Sequence, residues 1–370
     1  MRVLHVVLNL EAGGLERLVV DLANRLDRDQ FESHVLVLQY PGRHADELRS
    51  DVTLHTAPRS SKWSMLRPAS LTRAIRTIRP DLVHTHSGVW HKASLAARGA
   101  GVTRTIHTDH GRVFPDPWRD RITDVLAARR TDVVVAVSEP LGEYMHRALR
   151  VPISKLRVVQ NGVNVDDGAP GGDGRAIRAE LGLYETTPVI GSVGRLDSIK
   201  GYDVLIEAYG RLREGWTGVC PPVLVIAGDG PERLRLREQV ASLDENIRGD
   251  VHLLGWRTDV SDLLAAFDIF ALASHSEGTS VSLLEAMSAR VCPVVTDVGG
   301  NAMVLGNELC HRLVPPGDPT ALARGLSDAV RYPGARRHDA NRARARVEVR
   351  FSLSAMVRRY ENLYLALTPA

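Results

Sequence analysis

The chain has 370 residues, a length that suits two domains of about 180 residues each better than one. Hydrophobic residues make up 44% and charged residues 25%, a mix that excludes disordered, collagen-like and disulfide-stapled chains. The formal net charge of +3 is unevenly distributed, because residues 1–166 carry 24 Lys and Arg against 18 Asp and Glu. No stretch approaches the ~18 uninterrupted apolar residues that a membrane span needs.

Short apolar runs rich in β-branched residues alternate with helical patterns along the whole chain. Most of these runs are continuously apolar, which is typical of parallel strands covered by helices on both faces. The first run begins at the N-terminus and turns acidic too soon for a secretory signal peptide, so a strand is expected there. The predicted strands are Val3–Leu10, His34–Gln39, Leu82–His86, Thr105–His107, Val133–Val137, Val189–Val193, Val223–Ala227, His252–Leu254, Ile269–Ala273 and Val294–Thr296. The pattern predicts an α/β protein with two doubly wound sheets in tandem.

A cluster of turn-forming residues, Asn164–Gly174, separates the two halves and predicts a linker. Phe351–Leu367 places apolar residues at helical spacing, so a packed helix is expected at the C-terminus. We therefore expect an N-terminal domain over residues 1–165, a C-terminal domain over residues 175–350, and a final helix over residues 351–370 that packs back toward the N-terminal domain. Because open parallel sheets bind ligands beyond the carboxyl ends of their strands, the two domains are expected to face each other across a cleft.

The first strand is followed by Gly13 and Gly14, which open a helical pattern. Backbone N–H groups at such a helix start can bind a phosphate. A six-residue G-x-G-x-x-G fingerprint and a Walker lysine are both absent, which disfavours the usual nicotinamide and ATP folds. A plain tight turn is the alternative interpretation of this glycine pair.

Two cations flank the start of a helix in the second half. Arg195 follows a predicted buried strand, and Lys200 with Gly201 opens the next helical pattern. A guanidinium and an ammonium at one strand-to-helix junction are suited to binding a diphosphate.

Two glutamates eight positions apart form the next candidate site. Glu277 follows a predicted strand, and Glu285 lies within the helix that Thr279 or Ser280 is expected to cap. Carboxylates accept hydrogen bonds from vicinal hydroxyls, so the pair suits a sugar or a ribose.

Together these motifs resemble glycosyltransferase family 4, whose members are retaining, nucleotide-sugar-dependent enzymes of GT-B fold with two Rossmann-like domains. The resemblance extends over nearly the whole chain and is carried most specifically by Arg195, Lys200-Gly201 and the Glu277-x7-Glu285 pair. The supporting motifs are Gly13-Gly14-x-Glu16, Val137-Ser-Glu139, Asn161-Gly-Val163, Gly194-Arg-Leu196, Gly228-Asp-Gly-Pro231 and Tyr360–Tyr364.

The resemblance implies roles for residues in the second half. Arg195 and Lys200 would neutralise the donor diphosphate, Glu277 would bind hydroxyls of the donor sugar, and Glu285 would bind the ribose. The amides of Thr279, Ser280 and Val281 would face the phosphates. Gly255 and Arg257 match the region that seats the base.

In the first half, the resemblance implies that the Gly13 and Gly14 amides approach the diphosphate from the other domain. His110 matches a histidine that lies against the donor sugar near the reacting carbon. Retention in the family is ascribed to attack on the face that the phosphate leaves, so no protein nucleophile is expected. Lys200, Arg195 and the helix N-termini would neutralise the phosphates and no Asp-x-Asp lies near these motifs, so neither a metal ion nor another cofactor is expected.

The sequence departs from the family pattern at Arg290, where a glycine is usual after the helix that carries Glu285. Helices commonly end with a glycine in the left-handed conformation. Arginine in that conformation should cost about 1 kcal/mol, unless the backbone differs.

Other functions remain alternatives from the sequence alone. His84-Thr-His86 and His107-Thr-Asp-His110 have spacings found in metal sites, which would suit a metallohydrolase. Glu277 and Glu285 could be a glycosidase acid and base. A GT-B epimerase, a GT-B phosphorylase and a non-catalytic nucleotide-sugar-binding module are further alternatives.

The expected partners are a nucleotide-sugar donor and an acceptor glycan, glycolipid or small molecule; no nucleic acid is expected. Pro58–Arg67 mixes Trp and Met with cations, so the basic N-terminal domain is a candidate for peripheral membrane contact, with an ordinary exposed loop as the alternative. Gly111–Trp118 is a second candidate acceptor loop. Three cysteines without metal spacing, Cys220, Cys292 and Cys310, predict a cytoplasmic protein. Peripheral contact through the basic N-terminal domain would place it at the inner face of the membrane.

Overall fold

The computed structural model of the chain describes residues 1–11, 13–57, 68–112, 117–165 and 172–367. The chain divides into two compact units, Met1–Gly162 together with Leu353–Ala370, and Val163–Ser352. The predicted loop Pro58–Arg67, residues 113–116 of the second candidate acceptor loop and residues 166–171 of the predicted linker lie outside the described residues. In the described ranges, we find no helix with the length and apolar character of a membrane span.

Within its described residues, the first unit is built on one parallel sheet of seven strands. The strands are β1 (Arg2–Val7), β2 (Glu32–Val37), β3 (Thr53–Thr56), β4 (Leu82–His86), β5 (Thr105–Asp109), β6 (Val133–Ala136) and β7 (Leu156–Val158). The helices between them are α1 (Gly14–Arg25), α2 (Ala69–Ile78), α3 (Trp90–Ala100), α4 (Trp118–Arg130) and α5 (Glu139–Ala148). The strand order is β3-β2-β1-β4-β5-β6-β7.

The second unit has a parallel sheet of six strands in the part of the chain that is described. The strands are β8 (Val189–Val193), β9 (Val223–Ala227), β10 (Val251–Gly255), β11 (Ile269–Leu272), β12 (Cys292–Thr296) and β13 (Leu313–Val314). The helices are α6 (Gly174–Glu180), α7 (Tyr202–Glu214), α8 (Arg233–Ala241), α9 (Glu245–Arg248), α10 (Val260–Ala266), α11 (Val281–Ser288), α12 (Asn301–Leu305), α13 (Pro319–Arg331) and α14 (Pro333–Arg350). The strand order is β10-β9-β8-β11-β12-β13.

The last helix, α15 (Leu353–Ala366), belongs to the first unit and contacts α1. Its apolar stripe is buried, and its tyrosines reach the first sheet: the Tyr364 hydroxyl lies 2.8 Å from His84 Nδ1. The Glu361 carboxylate accepts a hydrogen bond from the backbone N–H of Asp27.

Both sheets have the doubly wound strand order, in which the chain reverses direction across the sheet between the first and fourth strands. This confirms the predicted α/β class and the two Rossmann-like sheets. The strands beside the reversal are β1 and β4 in the first unit and β8 and β11 in the second, and all of their residues except Arg2 and Val193 are buried. Ligands of such folds bind where the carboxyl ends of these central strands meet.

Three strands have no counterpart in the sequence prediction, and all three lie at sheet edges. β3 and β7 are short and half-exposed, and β13 has only two residues. Their sequences lack the continuous apolar run that is typical of a strand covered on both faces. A prediction based on such runs therefore identifies the central strands and misses these three.

The predicted linker is too long at its C-terminal end. Asp173 caps α6 through its side chain, and Gly174 is the first residue of that helix. A Cβ on Gly174 would lie 2.4 Å from the Ala265 carbonyl oxygen, so glycine here permits close packing on α10 rather than chain flexibility.

Candidate functional site

An ion pair lies at the carboxyl edge of the second sheet, where its strand order reverses. Lys200 follows β8, Glu277 follows β11, and Lys200 Nζ lies 2.7 Å from Glu277 Oε1. Ser274 Oγ donates to the same carboxylate oxygen at 2.7 Å. The Glu277 side chain is only 7% exposed and that of Lys200 is 24% exposed, so water screens the pair weakly.

Backbone contacts hold the two loops that carry this pair. The His275 N–H donates to the Ile199 carbonyl at 2.8 Å, which joins the Lys200 turn to the Glu277 loop. Gly201 adopts φ +61°, and a Cβ there would lie 2.2 Å from the Ala273 carbonyl oxygen. Only glycine therefore fits between Lys200 and its helix without moving the neighbouring loop.

A second glycine supports Glu277 from the loop after β12. Gly299 adopts φ +54°, and a Cβ there would lie 1.8 Å from the Glu277 carbonyl oxygen. The adjacent Gly300 N–H donates to the Gly278 carbonyl at 2.8 Å. The sequence shows a glycine turn here, whereas the packing of that turn against Glu277 is visible only in the fold.

Helix α11 begins beside the Glu277 loop, and Ser280 is its N-cap. Ser280 Oγ accepts a hydrogen bond from the Leu283 N–H at 3.3 Å, so Ser280 rather than Thr279 has the predicted capping role. Thr279 and Ser280 are buried, and Val281 begins the helix. The first N–H groups of a helix lack partners within the helix and carry its positive dipole end, which suits an anion. Glu285 is half-exposed on the second turn.

Arg195 pairs with Asp197 rather than with Glu277. Its guanidinium forms a 3.0 Å ion pair with Asp197 and is 59% exposed. An exposed pair of this kind contributes about 0–1 kcal/mol, so Arg195 can exchange Asp197 for a ligand phosphate at little cost.

The guanidinium of Arg257 is held by two acids of the same unit. It contacts both carboxylate oxygens of Glu180 at 2.6 and 2.9 Å and both of Asp259 at 2.8 and 2.6 Å. These hydrogen bonds raise the Arg257 pKa well above its ordinary value. The side chain therefore ties α6 to the start of α10. Gly255, which ends β10 at φ +73°, accepts a hydrogen bond from the Gly228 N–H through its carbonyl.

In the first unit, Gly13 and Gly14 lie at the start of α1. Gly13 is the N-cap in an extended conformation, Gly14 is the first helical residue, and Glu16 is the acid of the first turn. A Cβ on Gly13 would lie 2.2 Å from Glu16 Oε2, so this carboxylate folds back over the helix start.

His110 ends a chain of histidine side chains that crosses the first sheet. His5 Nδ1 lies 3.3 Å from His86 Nε2, and His86 Nδ1 lies 3.1 Å from His110 Nε2. Burial lowers the pKa of His5 and of His110 to about 3, and burial lowers that of His86 well below its ordinary value. The three imidazoles are therefore neutral at neutral pH and act through hydrogen bonds.

The same region contains the metal-like histidine spacing noted in the sequence. Among the described residues, ring nitrogens of His5, His84 and His86 lie within 4.8 Å of one another. Both nitrogens of His84 have hydrogen-bond partners, the Tyr364 hydroxyl and Thr108 Oγ1, each at 2.8 Å. A ligating imidazole needs a free nitrogen, so these contacts favour a hydrogen-bond network over a metal centre.

Two family models match the chain. The model described as Glycosyltransferase Family 4 matches residues 12–167, and the model described as Glycosyl transferases group 1 matches residues 173–346.

Characterised relatives match over most of their length. The chain is 29% identical to the UDP-Gal:alpha-D-GlcNAc-diphosphoundecaprenol alpha-1,3-galactosyltransferase of Escherichia coli, covering 89% of each chain. It is 26% identical to the D-inositol 3-phosphate glycosyltransferase of Streptomyces scabiei, covering 87% of this chain and 80% of the relative.

Solved structures share the fold at lower identity. HepE of Anabaena, in complex with UDP and glucose, matches with a TM-score of 0.82 at 21% identity, covering 99% of this chain and 100% of that one. Sucrose-phosphate synthase of Thermosynechococcus elongatus matches with a TM-score of 0.81 at 19% identity, covering 99% of each. These likenesses confirm the GT-B fold, and with the family matches they show that the chain belongs to glycosyltransferase family 4.

Proposed function

We propose that this glycosyltransferase is retaining and transfers a hexose from a nucleotide-diphosphate sugar to an acceptor hydroxyl. The Lys200–Glu277 pair beside the N-terminus of α11 carries the proposal. The names of relatives support the donor class, since the E. coli relative is named for UDP-galactose and HepE was solved with UDP and glucose.

The chemical demand is to stabilise a leaving diphosphate. When the bond between the anomeric carbon and the phosphate oxygen breaks, negative charge builds on that phosphate. Lys200, Arg195 and the amides of Thr279–Val281 supply positive charge and hydrogen-bond donors suited to this group. Removing one such donor typically costs about 100- to 1000-fold in rate.

Glu277 is proposed to bind the sugar rather than to attack it. Lys200 and Ser274 both contact Oε1, so other lone pairs of the carboxylate can accept hydrogen bonds from sugar hydroxyls. Glu285, on the same helix that faces the phosphates, is the proposed partner of the ribose. Gly255 remains a proposed base contact through its backbone, and Gly13 and Gly14 remain proposed donor contacts.

Retention is proposed to follow from attack on the face that the phosphate leaves. The acceptor oxygen bonds to the anomeric carbon as the carbon–phosphate oxygen bond breaks, and the acceptor proton passes to the departing phosphate oxygen. No protein nucleophile is assigned. His110, neutral because burial lowers its pKa to about 3, is proposed to hydrogen-bond the donor sugar rather than to serve as an acid.

The transfer is proposed to be metal-independent, because Lys200, Arg195 and the α11 N-terminus offer the positive charge that a divalent cation supplies elsewhere. The proposed acceptor is a glycan, a glycolipid or a small molecule. The E. coli relative is named for a sugar linked to diphosphoundecaprenol, and the S. scabiei relative for D-inositol 3-phosphate. We propose a cytoplasmic protein with peripheral contact at the inner face of the membrane.

A thermal-shift panel of UDP-, GDP-, ADP- and dTDP-sugars, followed by product analysis, tests the proposal. One donor class should stabilise the protein, and the anomeric coupling in the proton NMR spectrum of the product should match that of the donor, with and without EDTA. An inverted product contradicts retention, and loss of activity in EDTA contradicts metal independence. An epimerised donor or a sugar 1-phosphate formed from added phosphate would instead indicate an epimerase or a phosphorylase.

A further inference from the structure

Helix α4 exposes a continuous apolar stripe. Trp118, Ile122 and Leu126 are 66%, 52% and 36% exposed, although they are large hydrophobic residues. They lie four positions apart, and at about 100° per residue each is displaced by only about 40° around the helix from the one before. The opposite side of α4 packs into the first unit through Ala127 and Ala128, so the stripe is not part of the core.

Cations flank this stripe and acids avoid it. Arg119 and Arg129 are exposed, and by the same spacing they lie within about 60° of Ile122. The two acids of the helix, Asp120 and Asp124, lie about 160° from Ile122. Asp124 is also neutralised by Arg112, at 2.8 Å. We call the outward surface made by Trp118, Arg119, Ile122, Leu126 and Arg129 the α4 face.

The same character continues beyond the C-terminal end of α4. Lys155 Nζ donates to the Thr131 carbonyl at 2.7 Å and lies 3.4 Å from the Ala128 carbonyl oxygen, which holds the turn Ile153–Lys155, between α5 and β7, against the end of α4. Ile153, in that turn, is 69% exposed. An exposed apolar residue and a cation thus lie in the turn held against the end of α4.

This composition fits an anionic lipid surface. Tryptophan is enriched at the boundary between headgroups and acyl chains, and flanking arginines attract anionic headgroups. Arg119 also lies over the Trp118 ring, 5.3 Å from its centroid, so the ring and the cation are presented together. The charges of the α4 face are complementary to phosphate headgroups, and the face offers no carboxylate to pair with cations of a protein partner.

We propose that the α4 face docks on an anionic lipid bilayer, with Trp118, Ile122 and Leu126 entering the interface and Arg119 and Arg129 contacting phosphate headgroups. Docking would bring the enzyme to a lipid-linked acceptor, and this purpose rests on the proposed function. Docking itself is measured without the transfer reaction, so the two can fail separately.

Sedimentation of the full chain with vesicles of phosphatidylglycerol and phosphatidylcholine tests the proposal. The wild type should sediment with these vesicles and be released from them by high salt. It should not bind vesicles of phosphatidylcholine alone. The triple variant Trp118→Ser, Ile122→Ser, Leu126→Ser should lose binding at least 10-fold. The charge variant Arg119→Gln, Arg129→Gln should lose on the order of 30-fold.

Controls separate docking from folding and from donor binding. Leu234→Ser removes a leucine of the second unit that is 72% exposed, and it should leave vesicle binding unchanged. All variants should keep the wild-type melting temperature and the thermal shift with the donor found in the panel. Brominated lipid should quench the fluorescence of the wild type more than that of Trp118→Tyr.

Three results would overturn the proposal. One is a wild type that fails to bind anionic vesicles at low salt, and another is a serine variant that binds them as well as the wild type. The third is a wild-type dimer in light scattering that the serine variant converts to a monomer, because the α4 face would then be an interface between copies.

Discussion

Lys200 Nζ and Glu277 Oε1 lie 2.7 Å apart although the two residues are 77 positions apart in the sequence. The neighbouring strands β8 and β11 bring them together at the edge of the sheet where ligands of doubly wound folds bind. Glu277 is nearly buried, so its carboxylate has lost most of its hydration. The Lys200 ammonium and the Ser274 hydroxyl compensate for this loss.

Replacing Lys200 by Met should therefore destabilise the second unit by about 1–3 kcal/mol, because it leaves the carboxylate without a cation. Adding Glu277→Gln to that variant should restore part of the loss. Urea unfolding of the two single variants and the double variant measures this coupling. The exposed Arg147–Glu143 pair is the matched control: Arg147→Met should cost less than about 1 kcal/mol. If Lys200→Met and Arg147→Met lower the free energy of unfolding equally, the buried Glu277 carboxylate does not depend on Lys200.

Gly299→Ala should cost about 2 kcal/mol or more, because the residue has positive φ and the new Cβ would meet the Glu277 carbonyl oxygen at 1.8 Å. The shift of the Glu277 loop should also lower transfer activity and donor affinity. Gly334→Ala is the control, since a Cβ there meets nothing within 4 Å, and it should leave stability and activity nearly unchanged. If Gly299→Ala behaves like the control, the packing under Glu277 is not needed.

Arg290 adopts φ +58° after α11, in the position where the sequence comparison with the family predicts a left-handed residue. The Arg290 N–H donates to the Met287 carbonyl and the Val291 N–H to the Ala286 carbonyl, the two hydrogen bonds of a Schellman motif. Arg290→Gly should therefore stabilise the second unit by about 1 kcal/mol, or about 2–4 °C in melting temperature, with activity unchanged.

Calorimetry of Arg290→Gly and Arg290→Ala distinguishes two causes of a change in stability, the relief of the positive φ angle and the loss of the arginine side chain. Alanine keeps the cost of positive φ and should give little of the gain. An equal gain from both variants would assign the effect to removal of the arginine side chain instead.

Stability of the first unit should fall as the pH is lowered from about 6.5 toward 3. Burial lowers the pKa of His5 and His110 to about 3, and burial lowers the pKa of His84, His86 and His107 well below the ordinary value. The unfolded chain takes up protons in this range while the folded unit does not, so each histidine contributes up to about 1.4 kcal/mol per pH unit. Above about pH 7 both states are neutral at these positions, and the dependence should vanish.

Urea unfolding at neutral pH and at about pH 5 measures this dependence. His86→Gln should reduce the slope, whereas substitution of the exposed His338 should leave it unchanged. Equal stability of the wild type at the two pH values would contradict the buried neutral cluster.

The sequence predicts most of this fold because the central strands are continuously apolar. Lys200, Glu277 and the Ser280 cap follow the carboxyl ends of these strands, so the predicted strands also indicate the position of the site. It also predicts the left-handed residue at Arg290. It does not predict β3, β7 and β13, whose half-exposed or very short segments lack the pattern of covered strands.

Long-range contacts are not predicted by the sequence for a different reason. The approach of Gly299 to Glu277 depends on how two loops stack, and the pairing of Arg257 with Glu180 joins residues 77 positions apart. The histidine chain depends on the register of three strands, in which His5 lies opposite His84. These strands are continuously buried and lack the alternation of polar and apolar residues that would fix their register, so the sequence does not predict it.

Isothermal titration of the nucleoside diphosphate of the preferred donor into wild type, Lys200→Met and Arg147→Met tests the central claim most directly. If Lys200 holds the diphosphate at the edge of the second sheet, Lys200→Met should weaken binding at least 10-fold, while Arg147→Met binds as the wild type does. Unchanged affinity in a folded Lys200→Met protein would contradict the account.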